Sequence, residues 1–171
     1  MGEIRYQQTE NIIEGMQLRK EMPEDAEFLK QLFYVVRSPE FGMAGWPEEQ
    51  LRGFLAMQER MQWTHYDRTY EQLERWIVER DGRPVGRLYL ATEPDALRVV
   101  EISVMPESRG RGLGSALLRG VLGQASTAGL DVVLSVDHGS PAEKLYRRMG
   151  FEAVSDDGTK TGMRWRGRSP G

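Results

Sequence analysis

The sequence predicts an α/β protein built on a mixed, mostly antiparallel central sheet with helices on both faces. Three observations lead there. Apolar residues recur at helical spacing in some segments and alternate in others, in the order β-α-α-β-β-β-α-β-α-β-β. The pair Asp81-Gly82 lies between two alternating runs, the mark of a tight antiparallel hairpin. A strand–helix–strand passage then follows in mid-chain, and two strands joined through a helix run parallel in one sheet.

Residues 1–15 carry no period and are expected to form a flexible N-terminal arm. Residues 16–20 (MQLRK) alternate as a short strand does. Pro23 opens a helix whose Phe28, Leu29, Leu32, Phe33 and Val36 fall at helical spacing behind an acidic first turn. Residues 37–46, with two glycines and a proline, read as a loop. A second helix is expected from Pro47, with Leu51, Phe54, Leu55, Gln58 and Met61 or Gln62 along one face, fading past His65. Residues 74–79 and 85–91 are the hairpin strands, and 97–104 is the next strand, entered from a turn at Glu93-Pro94-Asp95. Residues 112–127 form a helix with a stripe of Leu113, Ala116, Leu117, Gly120, Val121 and Gln124. Residues 131–136 (DVVLSV) are a short, largely buried strand, and 140–149 a compact helix stopped by Gly150. Residues 151–154 and 161–165 close the sheet around the Asp156-Asp157-Gly158 turn. At 171 residues the chain suits one core, and we expect a single domain over 16–166 with a tail at 167–171.

Composition removes several functions. Without cysteine there is no disulfide framework, thiolate nucleophile or Cys-ligated metal, and two histidines, His65 and His138, make a histidine-rich metal site improbable. We expect no metal. A net charge of −3 argues against a general grip on nucleic acid. No apolar run approaches the length of a membrane span, and the polar start lacks the basic-then-apolar order of a signal peptide, so the expected compartment is cytoplasmic.

The most informative stretch is Val104-Met-Pro-Glu-Ser-Arg-Gly-Arg-Gly-Leu-Gly114, which leads from a strand into a helix. Gly110, Gly112 and Gly114 remove side chains where the backbone turns into the helix start. Backbone N–H groups, the positive end of the helix dipole, and Arg109 and Arg111 then converge on one spot, an arrangement that binds phosphate or pyrophosphate. A plain flexible connection is the structural alternative. Ser115 stands where a dinucleotide fingerprint needs glycine, and no Gly-Lys-Ser/Thr of a Walker A loop occurs. The second stretch is Ser140-Pro-Ala-Glu-Lys-Leu-Tyr-Arg-Arg-Met-Gly-Phe151. Ser140 can cap the helix, Pro141 suits its first turn, Glu143 can complete a capping box, and Gly150 suits the left-handed stop. Ala142, Leu145, Tyr146 and Met149 share a face, which by periodicity alone makes Tyr146 a core tyrosine.

Together the two stretches resemble the GNAT superfamily of N-acetyltransferases. Arg109-Gly-Arg-Gly-Leu-Gly114 is similar to its Arg/Gln-x-x-Gly-x-Gly/Ala acetyl-CoA loop, and residues 140–151 to its Asn-x-Ala-x-x-Leu-Tyr-x-x-x-Gly-Phe helix, with Ser140 where asparagine is common. The resemblance is strong over 83–165 and extends more weakly over 16–80. It implies a V-shaped splay in the sheet and acetyl-CoA as co-substrate. It assigns cofactor binding to Ile102, Ser103, Val104, Arg109, Gly110, Arg111, Gly112, Leu113, Gly114, Ser115 and Ser140. The strand over 102–104 would pair with the pantetheine arm and offer an N–H to the thioester carbonyl.

The resemblance also assigns Tyr146 the role of general acid toward the departing CoA thiolate, a proton transfer suited to a phenol of pKa near 10. Glu101, set among Val99, Val100, Ile102 and Val104, is the candidate base toward an amine acceptor. A burial-raised pKa would serve that role, and the alternative is a strand-face glutamate paired with Arg87 or Arg98. His65 and Asp137 are lesser candidates. The lack of cysteine favours direct transfer in a ternary complex over a thiol-linked intermediate. The resemblance implies that the first two helices and their loop wall the acceptor site; here that loop offers Phe41, Met43 and Trp46 as an apolar lid flanked by Glu40, Glu48 and Glu49, acids that helix starts also carry for their own sake. The expected acceptor is a small-molecule or peptide amine, with no nucleic acid or membrane as partner, and the resemblance admits a homodimer through the C-terminal strands. The rival reading is a non-catalytic acyl-CoA sensor of the same fold. A third uses another acyl donor or an O-linked acceptor.

Overall fold

The computed structural model describes residues 15–42, 45–110 and 112–167. Seven strands form one sheet: β1 (Met16–Lys20), β2 (Leu73–Arg80), β3 (Arg83–Thr92), β4 (Ala96–Val104), β5 (Asp131–Asp137), β6 (Glu152–Asp156) and β7 (Lys160–Trp165), in the order β1-β2-β3-β4-β5-β7-β6. Only β4 and β5 pair parallel. The α-helices are α1 (Ala26–Arg37), α2 (Glu48–Thr69), α3 (Leu113–Ala128) and α4 (Ala142–Arg148). The element order is the one the periodicity predicts. The expected N-terminal arm lies outside the described residues except for Gly15, and the expected tail except for Gly167.

The β2–β3 hairpin turns on Asp81 and Gly82, with φ of 51° and 78°. Two left-handed residues in a two-residue loop match the twist of the flanking strands. Along β3, Leu88 and Leu90 face α3, and with Leu97 and Val99 of β4 they pack against Leu113, Ala116, Leu117 and Val121. The α3 stripe is wider than predicted. Leu118 and Ala125 are also buried, whereas Gln124 is half-buried, because α4 and β5 close over the helix flank. On the other face α1 and α2 bury Phe33, Leu51 and Leu55 together. Helix α2 ends at Thr69, past His65 as expected, and of the two residues offered for the next place on its inner stripe Gln62 is half-buried while Met61 is 64% exposed.

Two irregularities shape the centre of the sheet. Tyr89 pairs with Glu101 but Leu90 pairs with Val99, so Val100 is an extra residue in β4. A β-bulge of this kind bends and twists its strand and reverses the side-chain alternation beyond it. Leu97 and Val99 therefore point toward α3, and after the bulge Ile102 and Val104 do so too, while Glu101 and Ser103 turn toward α2. The second irregularity is the splay. β4 and β5 pair only from Ala96–Arg98 to Asp131–Val133 and then diverge, β5 continuing along β7.

An ion pair between the half-buried Arg19 and the buried Asp25 ties β1 to the entry of α1. Asp25, 5% exposed, accepts hydrogen bonds from the Arg19 guanidinium at 2.7 and 2.9 Å and from the Met22 N–H at 2.7 Å. The Arg19 bonds, followed by that of Met22, hold the Asp25 carboxyl below the usual carboxylate range against the opposing effect of burial. Its folded pKa is lowered, so its contribution to stability is complete above about pH 4 and is lost as pH falls through the folded value. Asp25→Ala is expected to cost about 2–3 kcal/mol at neutral pH, a Tm lower by about 5–10 °C. Thermal melts at pH 7 and pH 3 check this, the gap between variant and parent narrowing at the lower pH.

Candidate active site

The site is assembled where β4 and β5 part. After β4 the chain makes a short 3-10 turn at Pro106–Ser108 and enters α3 through Gly110 and Gly112, at φ of 78° and 76°. Those left-handed values explain glycine at both positions. Arg109 Nε donates to the Val104 carbonyl at 3.2 Å and fastens the loop to the strand end. The first helical bond of α3 runs from Ala116 N–H to the Gly112 carbonyl at 2.9 Å. The N–H groups of Leu113, Gly114 and Ser115 thus have no carbonyl partner within the helix. Gly112, as N-cap, brings no side chain to cap them.

These residues line a cavity of about 470 Å³. Ile102, Ser103 and Val104 form its strand wall, and Arg109, Gly110, Gly112, Leu113, Gly114, Ser115 and Leu118 the loop and α3. Ala142, Leu145, Tyr146 and Arg148 contribute from α4, and Val36 from α1. A cavity of that size suits an extended organic ligand, and the amides and dipole at one end suit an anionic group. A Cβ built on Gly114 meets nothing within 4 Å, so the space over the helix start is open. Arg111 lies outside the described residues. Ser140 is not among the described residues that line the cavity. Its Oγ accepts the Ala142 N–H at 3.2 Å. The expected capping box does not close, because the Ser140 N–H already bonds the Asp137 carbonyl and Glu143 pairs with Arg147 at 2.9 Å.

Tyr146 is 8% exposed, lines the cavity and packs its ring 5.8 Å from that of Phe151. Burial first, and the negative charge of Glu101 second, push its phenol above the ordinary value.

Glu101 sits behind the strand wall, on the α2 side of the sheet, in polar surroundings. Ser103 Oγ donates to its Oε1 at 2.6 Å, Tyr66 Oη donates to its Oε2 at 3.0 Å, and an Arg87 guanidinium nitrogen lies 3.9 Å from Oε1. This corrects the apolar setting expected from its sequence neighbours: the bulge turns Glu101 away from the valines. Of the two arginines considered for it, Arg87 is the neighbour, while Arg98 is engaged by Glu93. Arg87 is 5% exposed, and its Nε has no hydrogen-bond partner among the described residues. Tyr89, whose hydroxyl donates to Glu21, and Tyr66 are both pushed up, primarily by burial. Glu59, on the same face, is also raised by burial.

His65 is exposed and near Thr69, and Asp137 is exposed with Lys160 at 4.0 Å; both face solvent. The expected lid is an aromatic cluster of Phe41, Trp46 and Phe54, with ring centroids 5.3–6.1 Å apart; Met43 lies outside the described residues. Tyr66 was the residue that periodicity passed over. The stripe Leu51, Leu55, Gln58, Gln62 reaches Tyr66 one turn later, at the fading end of the predicted helix. A second cavity of about 470 Å³ at the β1 edge is lined by Lys20, Glu21, Glu74, Arg75, Trp76 and Thr92 among others. It has no helix N-terminus, and its Arg75 is paired with Asp67 at 2.8 Å.

A splayed strand pair with an uncapped helix N-terminus at its mouth is the arrangement that the resemblance of the two motifs implies. Comparison with known proteins agrees. The model described as the acetyltransferase (GNAT) family matches residues 29–151, and this chain belongs to that family. The mycothiol acetyltransferase of Thermomonospora curvata is 33% identical over 122 residues, covering 66% of this chain and 41% of that protein. That of Clavibacter michiganensis subsp. michiganensis is 33% identical over 123 residues, covering 66% and 40%. The chain thus spans less than half the length of these relatives. Among solved structures, the PaiA N-acetyltransferase of Thermoplasma acidophilum in complex with coenzyme A superposes with a TM-score of 0.66 at 16% identity, over 88% of this chain and 98% of that one. The ribosomal-protein-S18-alanine N-acetyltransferase of Escherichia coli gives 0.63 at 16% identity, over 91% and 96%. These two share the fold. No helix among the described residues is long and apolar enough to cross a membrane.

Proposed function

We propose that this chain transfers an acetyl group from acetyl-CoA to a primary amine, directly and within a ternary complex, and that residues 16–166 are its catalytic domain. The observation that carries the reading is one cavity holding both the uncapped N-terminus of α3 and the buried Tyr146 hydroxyl-bearing ring. The pyrophosphate would lie on the Leu113, Gly114 and Ser115 amides, with Arg109 beside it. The pantetheine would run along the edge of β4 that β5 leaves unpaired at 102–104, where a backbone N–H can stabilise charge on the thioester oxygen. Glu101 takes one proton of the ammonium, and the amine nitrogen attacks the carbonyl carbon. The C–S bond then breaks and Tyr146 gives its proton to the leaving thiolate; the second proton that the nitrogen sheds in becoming an amide restores the phenol, and Glu101 passes its own to water. A phenol raised by burial stays protonated at neutral pH, as an acid must.

The test is calorimetric titration with acetyl-CoA, with NAD and ATP as controls. Acetyl-CoA-selective binding in the micromolar range is expected, followed by CoA release when amines are added. The names of relatives and structural neighbours include mycothiol and a ribosomal-protein alanine, so the panel holds small-molecule amines, amino acids and peptides. No binding of acetyl-CoA overturns the reading. Binding without CoA release from any amine favours the sensor.

A further inference from the structure

We propose that Tyr66 of α2 is a positioning residue for Glu101, holding its carboxylate oriented from the helix side of the sheet. The inference rests on the acetyltransferase reading for its consequence in turnover, but its geometry stands apart from it.

Glu101 has two hydrogen-bond donors and one cation beside it. Ser103, two residues on in β4, donates to Oε1 at 2.6 Å, Tyr66 donates to Oε2 at 3.0 Å, and Arg87 of β3 stands 3.9 Å from Oε1 at ion-pair distance. Ser103 and Arg87 belong to the sheet that carries Glu101. Tyr66 alone comes from a helix, 35 residues away in sequence. A carboxylate has about four acceptor sites, and Ser103 and Tyr66 occupy two of them, one on each oxygen. Donation to the ionised form favours that form. Tyr66 itself is fixed by ring contacts with Tyr89 at 6.3 Å and Tyr70 at 6.2 Å, which orient its hydroxyl without using it. The other titratable groups around Glu101 are Tyr89, its partner on β3, with Glu21 and Glu59 on the same face, and Tyr146 on α4, whose phenol the Glu101 charge raises. The acceptor-side helix thereby sets the state of a residue on the cofactor strand, and a shift of α2 would be felt at the base.

Tyr66→Phe keeps the ring and removes the donor. Titration of the Glu101 carboxyl by carbon NMR, in parent and variant without ligand, reads the effect directly. Its midpoint is expected to lie higher in the variant, because a hydrogen bond donated to the ionised form is gone. Acetyl-CoA affinity should stay within about twofold, since the ring does not line the cofactor cavity. With the most active amine of the panel, the acid limb of the kcat/KM profile should move in the same direction. Combined with Glu101→Gln, the Tyr66 change should add nothing further. An unmoved Glu101 midpoint overturns the proposal, as does a rate loss that adds to that of Glu101→Gln. A moved midpoint in a protein that fails to bind acetyl-CoA sustains the Tyr66–Glu101 coupling and overturns the acetyltransferase reading instead.

Discussion

Tyr146→Phe is expected to lower kcat by about 10²- to 10³-fold, the range of a lost general acid, while acetyl-CoA affinity stays within about twofold. The two follow from one placement. The ring is 8% exposed and packed against Phe151, and phenylalanine preserves that packing, so the cavity keeps its shape. The hydroxyl is what the leaving thiolate would need. Because burial and Glu101 raise the phenol above its ordinary value near 10, the parent should hold its rate through pH 9 and decline only beyond about pH 10. The variant should lack that alkaline decline. A pH–rate series with calorimetry on both proteins checks it; an equal loss of kcat and affinity would make Tyr146 a packing residue.

Gly114→Asp is the second, and it separates stability from binding. Gly114 occupies the first turn of α3, and its added Cβ meets no neighbour within 4 Å. An acidic side chain there favours the helix dipole by about 0.3–1 kcal/mol, so the melting temperature should hold or rise slightly. The same carboxylate would stand about 5 Å from a bound pyrophosphate. At an effective dielectric near 20 that repulsion is about 3 kcal/mol, or about 10²-fold in Kd. Acetyl-CoA titration and a thermal melt of the one variant read both signs. Unchanged affinity would remove the ligand from the start of α3.

The fold was largely legible in the residues, and so were most positions lining the cavity. Alternation and helical spacing placed the strands and helices in their order, and the Asp81-Gly82 turn pinned the β2–β3 register. The glycines at 110 and 112 announced a backbone in the left-handed region, and the structure has it. Each of these is decided within a few residues by allowed dihedrals, side-chain period and the unmet amides of a helix start, so a single chain read in order reveals them. Glu101 was found as a residue and misplaced in its surroundings. Strict alternation would set it beside Leu97 and Val99 against α3, and one extra residue, Val100, turns it to the opposite face.

That bulge has no local signature in the run Val99-Val100-Glu101-Ile102, where every register looks equally apolar. It is settled by which residues of β3 each strand position meets, as is the divergence of β4 from β5. Tyr66 and Glu101 meet because α2 is long enough to lay its last turns over the sheet, a contact between residues 35 apart that no period reports. The sequence, through short-range geometry, determined the elements, the hairpin and the glycine-bounded helix start. Assembly of the sheet decided which face carries the carboxylate, because pairing between distant strands sets register, and register sets where every side chain points.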